Sequence, residues 1–346
     1  MRANRRDFLR LVGLGAAGAL ALPPAAWADR IRILGGSGPE PSIAIGHVSL
    51  DLRRFLSGVR VGQARGHGDL LAFWLHGAAP AAALDVATLE EARSRGDLLI
   101  TERDQATVPQ LIVENRGKVH VLLLAGEILL GGKQNRVLSE DILLPPFSGP
   151  RNIGVYCVEQ GRWAGRGKDF EAKGTFAAPA LRSRLMEKAD QGKVWGEVDK
   201  YSRLAGAASP TQSYQDIYEK PEVKDHLKAV EQGIDLRAAP GALGAAVFVG
   251  QALAGLDLFH DPGLFAREWP KLLRAQALDA YRRPIAPGWD EGRLRKRVEE
   301  VLGAAAKAEG ILRGNAGVGQ LFEFRVDGLR GAALLVDGRV VHTAIL

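Results

Sequence analysis

Two short stretches carry more polar chemistry than the ends of core strands need. The first is Gly126-Glu127-Ile128-Leu129-Leu130-Gly131-Gly132-Lys133-Gln134-Asn135-Arg136, which directly follows the apolar run Val119–Ala125. The second is Cys157-Val158-Glu159-Gln160-Gly161-Arg162-Trp163. A carboxylate set behind an apolar strand and a glycine, as Glu127 is, is expected near the floor of a cleft. There desolvation raises its pKa toward the range useful for acid/base work. The N–H groups freed at Gly131-Gly132, together with Lys133 and Arg136, suit a phosphate or a carboxylate. Glu127 and Glu159 are therefore the candidate catalytic carboxylates. Lys133, Arg136 and Arg162 are the candidate anion ligands, Gln134, Asn135 and Gln160 the orienting groups, and Trp163 the stacking platform for a planar ligand. The competing reading uses the same residues as a hairpin turn, with Glu127 paired to Lys133 or Arg136, or as a buried polar network that fixes the strands.

Other chemistries are poorly served. Gly131-Gly132-Lys133 lacks the spacing of a phosphate-binding P-loop, and no Rossmann glycine fingerprint or G-x-S-x-G elbow follows a strand. The seven histidines show no metal-ligand spacing. Cys157, the single cysteine, shares a strand face with Glu159 and reads as a small buried core residue more readily than as a nucleophile. Asp257 and His260 flank Phe259 and read as caps of the following helix more readily than as site residues.

The elements that must hold these residues follow from periodicity. Strands are expected over residues 42–50, 69–76, 97–102, 108–114, 119–124, 127–130, 136–144 and 153–159, with 119–124 and 127–130 as a buried pair broken at Ala125-Gly126. A helix is expected over 87–95, with Asp85 or Thr88 as its cap. Residues 170–174 read as polar loop. Helices then fill 179–191, 192–204, 213–218 and 222–233. Strands return at 242–250 and 251–259, followed by a helix over 262–281 broken at Pro270 and an amphipathic helix over 290–308. Strands at 320–326, 332–336 and 339–344 close the chain, the last two joined by an Asp337-Gly338 hairpin turn. The expected fold class is α+β: a strand-rich N-terminal half, a helical middle and strands returning at the C-terminus, in a single compact domain over residues 42–346.

The N-terminus is of a different kind. Asn4-Arg5-Arg6-Asp7-Phe8-Leu9-Arg10, the apolar stretch Leu11–Leu22 and Ala26-Trp27-Ala28 have the grammar of a twin-arginine signal peptide over residues 1–28. Its apolar stretch is shorter than the ~20 residues a membrane-spanning helix needs, so no stable membrane span is expected after cleavage before Asp29. Residues 29–41 read as a flexible entry segment. The expected partner of residues 1–28 is the twin-arginine export machinery, and the expected location is periplasmic or secreted. The signal carries four arginines and one aspartate, half of the +6 formal charge of the 346-residue chain. What remains is too dilute for a nucleic-acid surface. A lone cysteine in an oxidising compartment leaves stability to core burial.

The Gly-Glu…Lys-Gln-Asn-Arg and Cys-Val-Glu-Gln-Gly-Arg-Trp segments resemble those of the ARPP-1 family, named for its association with ADP-ribosylglycohydrolases and rhodanese-like phosphatases. The resemblance extends to Gly192-Lys193-Val194-Trp195, Ser209-Pro210-Thr211, Ala254-Gly255-Leu256-Asp257-Leu258-Phe259 and Trp269-Pro270-Lys271-Leu272-Leu273. It covers nearly all of the chain from about His47 onward. The resemblance implies a domain of unknown biochemical function, and the family's genomic company implies ADP-ribose, nucleotide or phosphate-bearing ligands. The export signal points away from a cytoplasmic NAD-related role. Two functional expectations result: a polar small-molecule site for an anionic, phosphate- or ribose-bearing ligand, of unknown cofactor, or a non-catalytic periplasmic binding or scaffold domain whose polar cluster is structural.

Overall fold

The computed structural model describes residues 44–47, 50–78, 84–102, 110–162, 167–207, 209–283 and 288–346. The signal peptide, the entry segment and Trp163 lie outside the described residues. The expected α+β class holds: strands open and close the described chain and helices fill its middle.

In chain order the first elements are β1 (Ala44–His47), α1 (Leu50–Ser57), β2 (Arg60–His67), β3 (Leu70–His76), β4 (Val86–Ala87), α2 (Leu89–Ser94), β5 (Leu98–Thr101) and β6 (Gln110–Asn115). Then come β7 (His120–Leu123), β8 (Glu127–Gly131), β9 (Arg136–Leu138), β10 (Ile142–Leu144), β11 (Gly149–Cys157) and β12 (Phe170–Phe176). The helical middle comprises α3 (Pro179–Met186), α4 (Gln191–Ala205), α5 (Gln215–Glu219) and α6 (Pro221–Gly233). The chain closes through β13 (Gly244–Val249), β14 (Ala252–Phe259), α7 (Pro262–Ala280), α8 (Glu291–Ala305), β15 (Glu309–Gly314), β16 (Gln320–Val326), β17 (Leu329–Val336) and β18 (Arg339–Ile345).

The scaffold is a nine-stranded sheet of order β1-β15-β16-β17-β18-β14-β13-β3-β2. Its central strands are buried on both faces, which is why Leu70–Leu75 and Ala245–Phe248 read as continuous apolar runs rather than alternating ones. One face, through Phe73, Phe248, Leu256 and Leu258, packs on α1 and on the Leu294, Val298, Val301 and Leu302 stripe of α8. The other face, through Trp74, Val247, Phe259 and Val341, packs on α3 to α7 and on Leu122, Leu124, Ile128 and Val137 from β7 to β9. A six-stranded sheet (β12-β8-β9-β11-β6-β5) and a three-stranded one (β10-β7-β4) make up the remaining β-structure and share a smaller apolar core.

Four differences from the sequence expectation bear on the site. Residues 136–144 form two strands, β9 and β10, that belong to different sheets, and the crossing at Ser139–Asp141 turns the Asp141 carboxylate inward. Likewise β7 and β8 do not pair: Gly126 takes φ +108 between them and sends the chain from one sheet to the other. Residues 170–174 are not loop but the start of β12, an edge strand whose Phe170, Thr175 and Phe176 are buried while Glu171 faces solvent. Pro270 does not break α7, which runs unbroken for 19 residues. Its ring and the neighbouring Ala266 are exposed, so water can serve the carbonyl that loses its partner. Of the two candidate caps, Thr88 rather than Asp85 caps α2, with Glu91 completing a capping box, and the Asp337-Gly338 hairpin, with both residues at positive φ, forms as the sequence suggests.

Candidate functional site

The two signature stretches meet, and they interlock. The turn after β8 places Gly131 at φ +151 and Gly132 at φ +51. A Cβ at Gly131 would lie 2.2 Å from the Asp169 carbonyl, and one at Gly132 would lie 2.5 Å from Phe170, so glycine is required at both. Arg162 reaches across from the second stretch. Its Nη1 donates to the Gly132 carbonyl at 2.7 Å, and its Nη2 donates to the Gly131 carbonyl and to Asn135 Oδ1, both at 3.1 Å. The same Nη2 pairs with Glu159 Oε2 at 2.7 Å. Glu159 accepts further hydrogen bonds from the Asn135 N–H and from Thr211 Oγ1. Gln134 Nε2 donates to the Glu159 carbonyl at 2.7 Å, and Asn135 Nδ2 donates to Ser213.

Arg136 extends this clasp inward. Its Nη1 donates to Gln134 Oε1 at 3.1 Å and to Cys157 Sγ at 2.9 Å, and its Nη2 pairs with Glu102 at 3.4 Å. Gln134, Asn135, Arg136 and Glu159 are buried, whereas Lys133 and Gln160 are exposed. Burial alone would raise the Glu159 carboxyl, but hydrogen bonds from Arg162, Asn135 and Thr211 outweigh it and hold the pKa below the ordinary value. Glu159 is thus held as a carboxylate by these partners. Burial pushes the Cys157 thiol up, against the pull of Arg136, and the thiolate is disfavoured.

Glu127 stands apart from the clasp, with neither Lys133 nor Arg136 as its partner. Its carboxyl is fully buried at the head of β8, where Oε2 accepts from the Leu124 N–H at 2.9 Å and Oε1 meets Lys271 Nζ of α7. Lys271 also pairs with Glu268 at 2.7 Å, one turn earlier on α7, and with Glu90 of α2 at 2.9 Å. Glu268 is fully buried and Glu90 is about one-third exposed (33%). Burial lifts the Glu127 carboxyl to about 8, with Lys271 pulling against it. The desolvation expected at this position is therefore present, but an ammonium group already occupies the carboxyl.

A second buried chain of charges lies on the same face of the large sheet. Asp257 of β14 and His342 of β18 project from that face because Asp257 is opposite Ala344 and Phe259 is opposite His342. His342 Nδ1 lies 2.6 Å from Asp141 Oδ2, and its Nε2 lies 3.2 Å from Asp257 Oδ1. Arg182 of α3 clamps Asp257 through two parallel bonds of 2.8 and 3.0 Å, and its guanidinium stands 5.0 Å over the Phe176 ring. Asp141 Oδ1 accepts from the Ala125 N–H at 2.8 Å, which ties this chain to the strand leading into Glu127. Burial opposes charge on His342, but Asp141 and Asp257 outweigh it and lift the imidazole to about 9. Burial likewise opposes charge on Asp257, yet Arg182 and His342 hold it well below the usual carboxylate range. Asp257 thus belongs to this network. The helix cap is Asp261, whose carboxylate accepts from the Leu264 N–H.

Sequence reasoning missed Asp141, Arg182, Glu268, Lys271 and His342. His342 inside the apolar run Val340–Ile345, and Glu268 and Lys271 beside Trp269, Leu272 and Leu273, were the available signals. Among the described residues no group of three or more His, Cys, Asp or Glu side chains is placed to hold a metal ion. A shallow cleft of about 410 Å³ is lined by Asp199, Ser202, Arg203, Gly206 and Gln212 among others, and by none of the candidate site residues.

Residues 58–346 match the family model of the ARG and Rhodanese-Phosphatase-superfamily-associated Protein domain, ARPP-1. No curated protein and no solved structure matches the chain.

Proposed function

From the premise that the chain belongs to the ARPP-1 family over residues 58–346, we propose that it is an exported, non-catalytic binding or scaffold domain whose signature segments form a structural clasp. One observation carries this reading. The Arg162 guanidinium is committed to Glu159, Asn135 and the Gly131 and Gly132 carbonyls, so the cation best placed for an anionic ligand is already neutralised. Arg136 and Glu102 repeat the pattern one layer deeper. Export rests on the twin-arginine grammar of residues 1–28.

A second reading is favoured by Lys133 and Gln160, which are exposed and adjoin in sequence the Gly132 and Glu159 partners of Arg162. There a phosphate- or ribose-bearing anion would meet Lys133 first, with Gln160 orienting it. A thermal-shift screen of the chain from Asp29 onward separates the two. Its probes are inorganic phosphate, ADP-ribose, a sugar phosphate and divalent metal ions. The scaffold reading expects no shift at millimolar probe and a lowered Tm for Arg162→Ala without any ligand. The small-molecule reading expects a shift that Lys133→Ala abolishes while leaving the unliganded Tm unchanged.

A further inference from the structure

The two buried charge chains do not balance. Facing one another between the large sheet, α3 and α7 are four carboxyl groups, Glu127 from β8, Asp141 from the β9–β10 crossing, Asp257 from β14 and Glu268 from α7. The three cations among them are Arg182 from α3, Lys271 from α7 and His342 from β18, and all seven side chains are buried. Glu90 of α2, at the partly exposed end, adds a further carboxylate beside Lys271. Asp257 has its bidentate arginine, and Asp141 has His342 and a backbone donor. The surplus therefore falls on Glu127 and Glu268, which share one ammonium group. Neither oxygen of Glu268 has a hydrogen-bond donor in good geometry, and its one close partner is the shared Lys271 ammonium, 2.7 Å from Oε2. An isolated carboxylate in such surroundings is better neutralised than kept charged.

We infer that the folded protein stores one proton on the Glu127–Glu268 carboxyl pair, and that losing it at mildly alkaline pH loosens α7 from β8, which makes this centre a pH-responsive device. On release the proton passes to solvent, and two buried carboxylates are left around a single Lys271 ammonium. Burial raises both carboxyls, with Lys271 pulling back, and Lys271 itself is held well above its ordinary value by Glu127, Glu268 and Glu90 despite its burial. The proton is therefore held on the carboxyl pair while Lys271 keeps its charge. The inference does not depend on the clasp reading.

The sign follows from linkage. A carboxyl lifted from 4.5 to about 8 in the folded state stabilises the fold fully below the lower value and loses that contribution as pH rises through the upper one. The pair's contribution to the folding equilibrium constant is expected to fall by about tenfold between about pH 7 and about pH 9. Urea unfolding across this range tests it in the wild type, Glu268→Gln and Glu127→Gln. The wild type loses stability on alkalinisation through both the carboxyl pair and His342, whose buried imidazole also gives up its proton toward about pH 9, whereas each variant, now with three carboxyls for three cations, keeps only the His342 share and falls about tenfold less. Hydrogen exchange corrected for intrinsic pH dependence shows protection lost first in α7 and β8. A wild type that falls no more steeply than the two variants over the range overturns the inference. Should neither variant fold, infrared spectroscopy of the ¹³C-glutamate-labelled wild type decides. A protonated-carboxyl band near neutral pH that vanishes on alkalinisation supports the inference, and absence of the band overturns it.

Discussion

Replacing Lys271 by methionine removes a charge and little volume, so its effect isolates what the ammonium does for the carboxyls around it. Lys271 is the one cation that Glu127 and Glu268 share, and Glu90 is its only partly exposed partner. Without it, two fully buried carboxyls must both be neutral. One proton is already stored in the wild type, so the variant must take up one more. Drawing a proton from neutral solution onto a group of ordinary pKa 4.5 costs about 3 kcal/mol at about pH 7. At about pH 5 the same uptake costs less than about 1 kcal/mol. That range agrees with the ~3–5 kcal/mol typical of breaking one partner out of a buried ion pair. Urea denaturation of Lys271→Met should therefore show a loss near 3 kcal/mol at neutral pH that mostly disappears in mild acid. Adding Glu127→Gln to the variant should restore most of the neutral-pH loss. An equal loss at both pH values would mean that the penalty is one of packing and would refute the charge argument. No loss at either would show that the pair needs no cation.

Three further substitutions or treatments probe the frame. Gly126→Ala forces a Cβ to 2.9 Å from Phe176 and 3.0 Å from Arg182 at φ +108, and should cost about 2–4 kcal/mol in urea unfolding. Asn115→Ala removes donors to the Val119 and Pro145 carbonyls and the acceptor for the Gly117 N–H, all at 2.8–2.9 Å, and should cost about 2–4 kcal/mol, with amide exchange rising in both loops. Cys157, fully buried and paired with Arg136, should not react with an aromatic disulfide reagent in the folded protein and should react completely in denaturant.

Much of the frame was legible in the sequence because burial and turns leave local marks. The apolar runs of β3, β13 and β14, the Thr88 capping box and the Asp337-Gly338 turn each declare themselves within a few residues. The edge strand β12 was not legible because Glu171, Lys173 and Gly174 give it the composition of a loop, and its pairing partner β8 lies about forty residues away. The meeting of the two signature stretches was visible as density of polar residues, but its outcome was not. Whether Arg162 faces a ligand or Glu159 depends on the backbone turn at Gly131-Gly132, which composition does not specify. The charge centre was the least visible. Its members come from residues 90 to 342 and converge only through the strand order β18-β14-β13 and the packing of α7 on that sheet. Glu127 was singled out correctly for desolvation and given the wrong partners, because Lys133 and Arg136 are near in sequence whereas Lys271 is near in space.

A double-mutant cycle across Glu159 and Arg162 tests the clasp most directly. Unfolding free energies are measured for Glu159→Gln, Arg162→Met and the combined variant. The buried 2.7 Å pair with its shared partner Asn135 predicts a coupling of about 1–3 kcal/mol, well above the ~0.2–1 kcal/mol of exposed pairs. A coupling near zero, with Arg162→Met as stable as the wild type, would show that the guanidinium is free for a ligand and would contradict the structural role assigned to it.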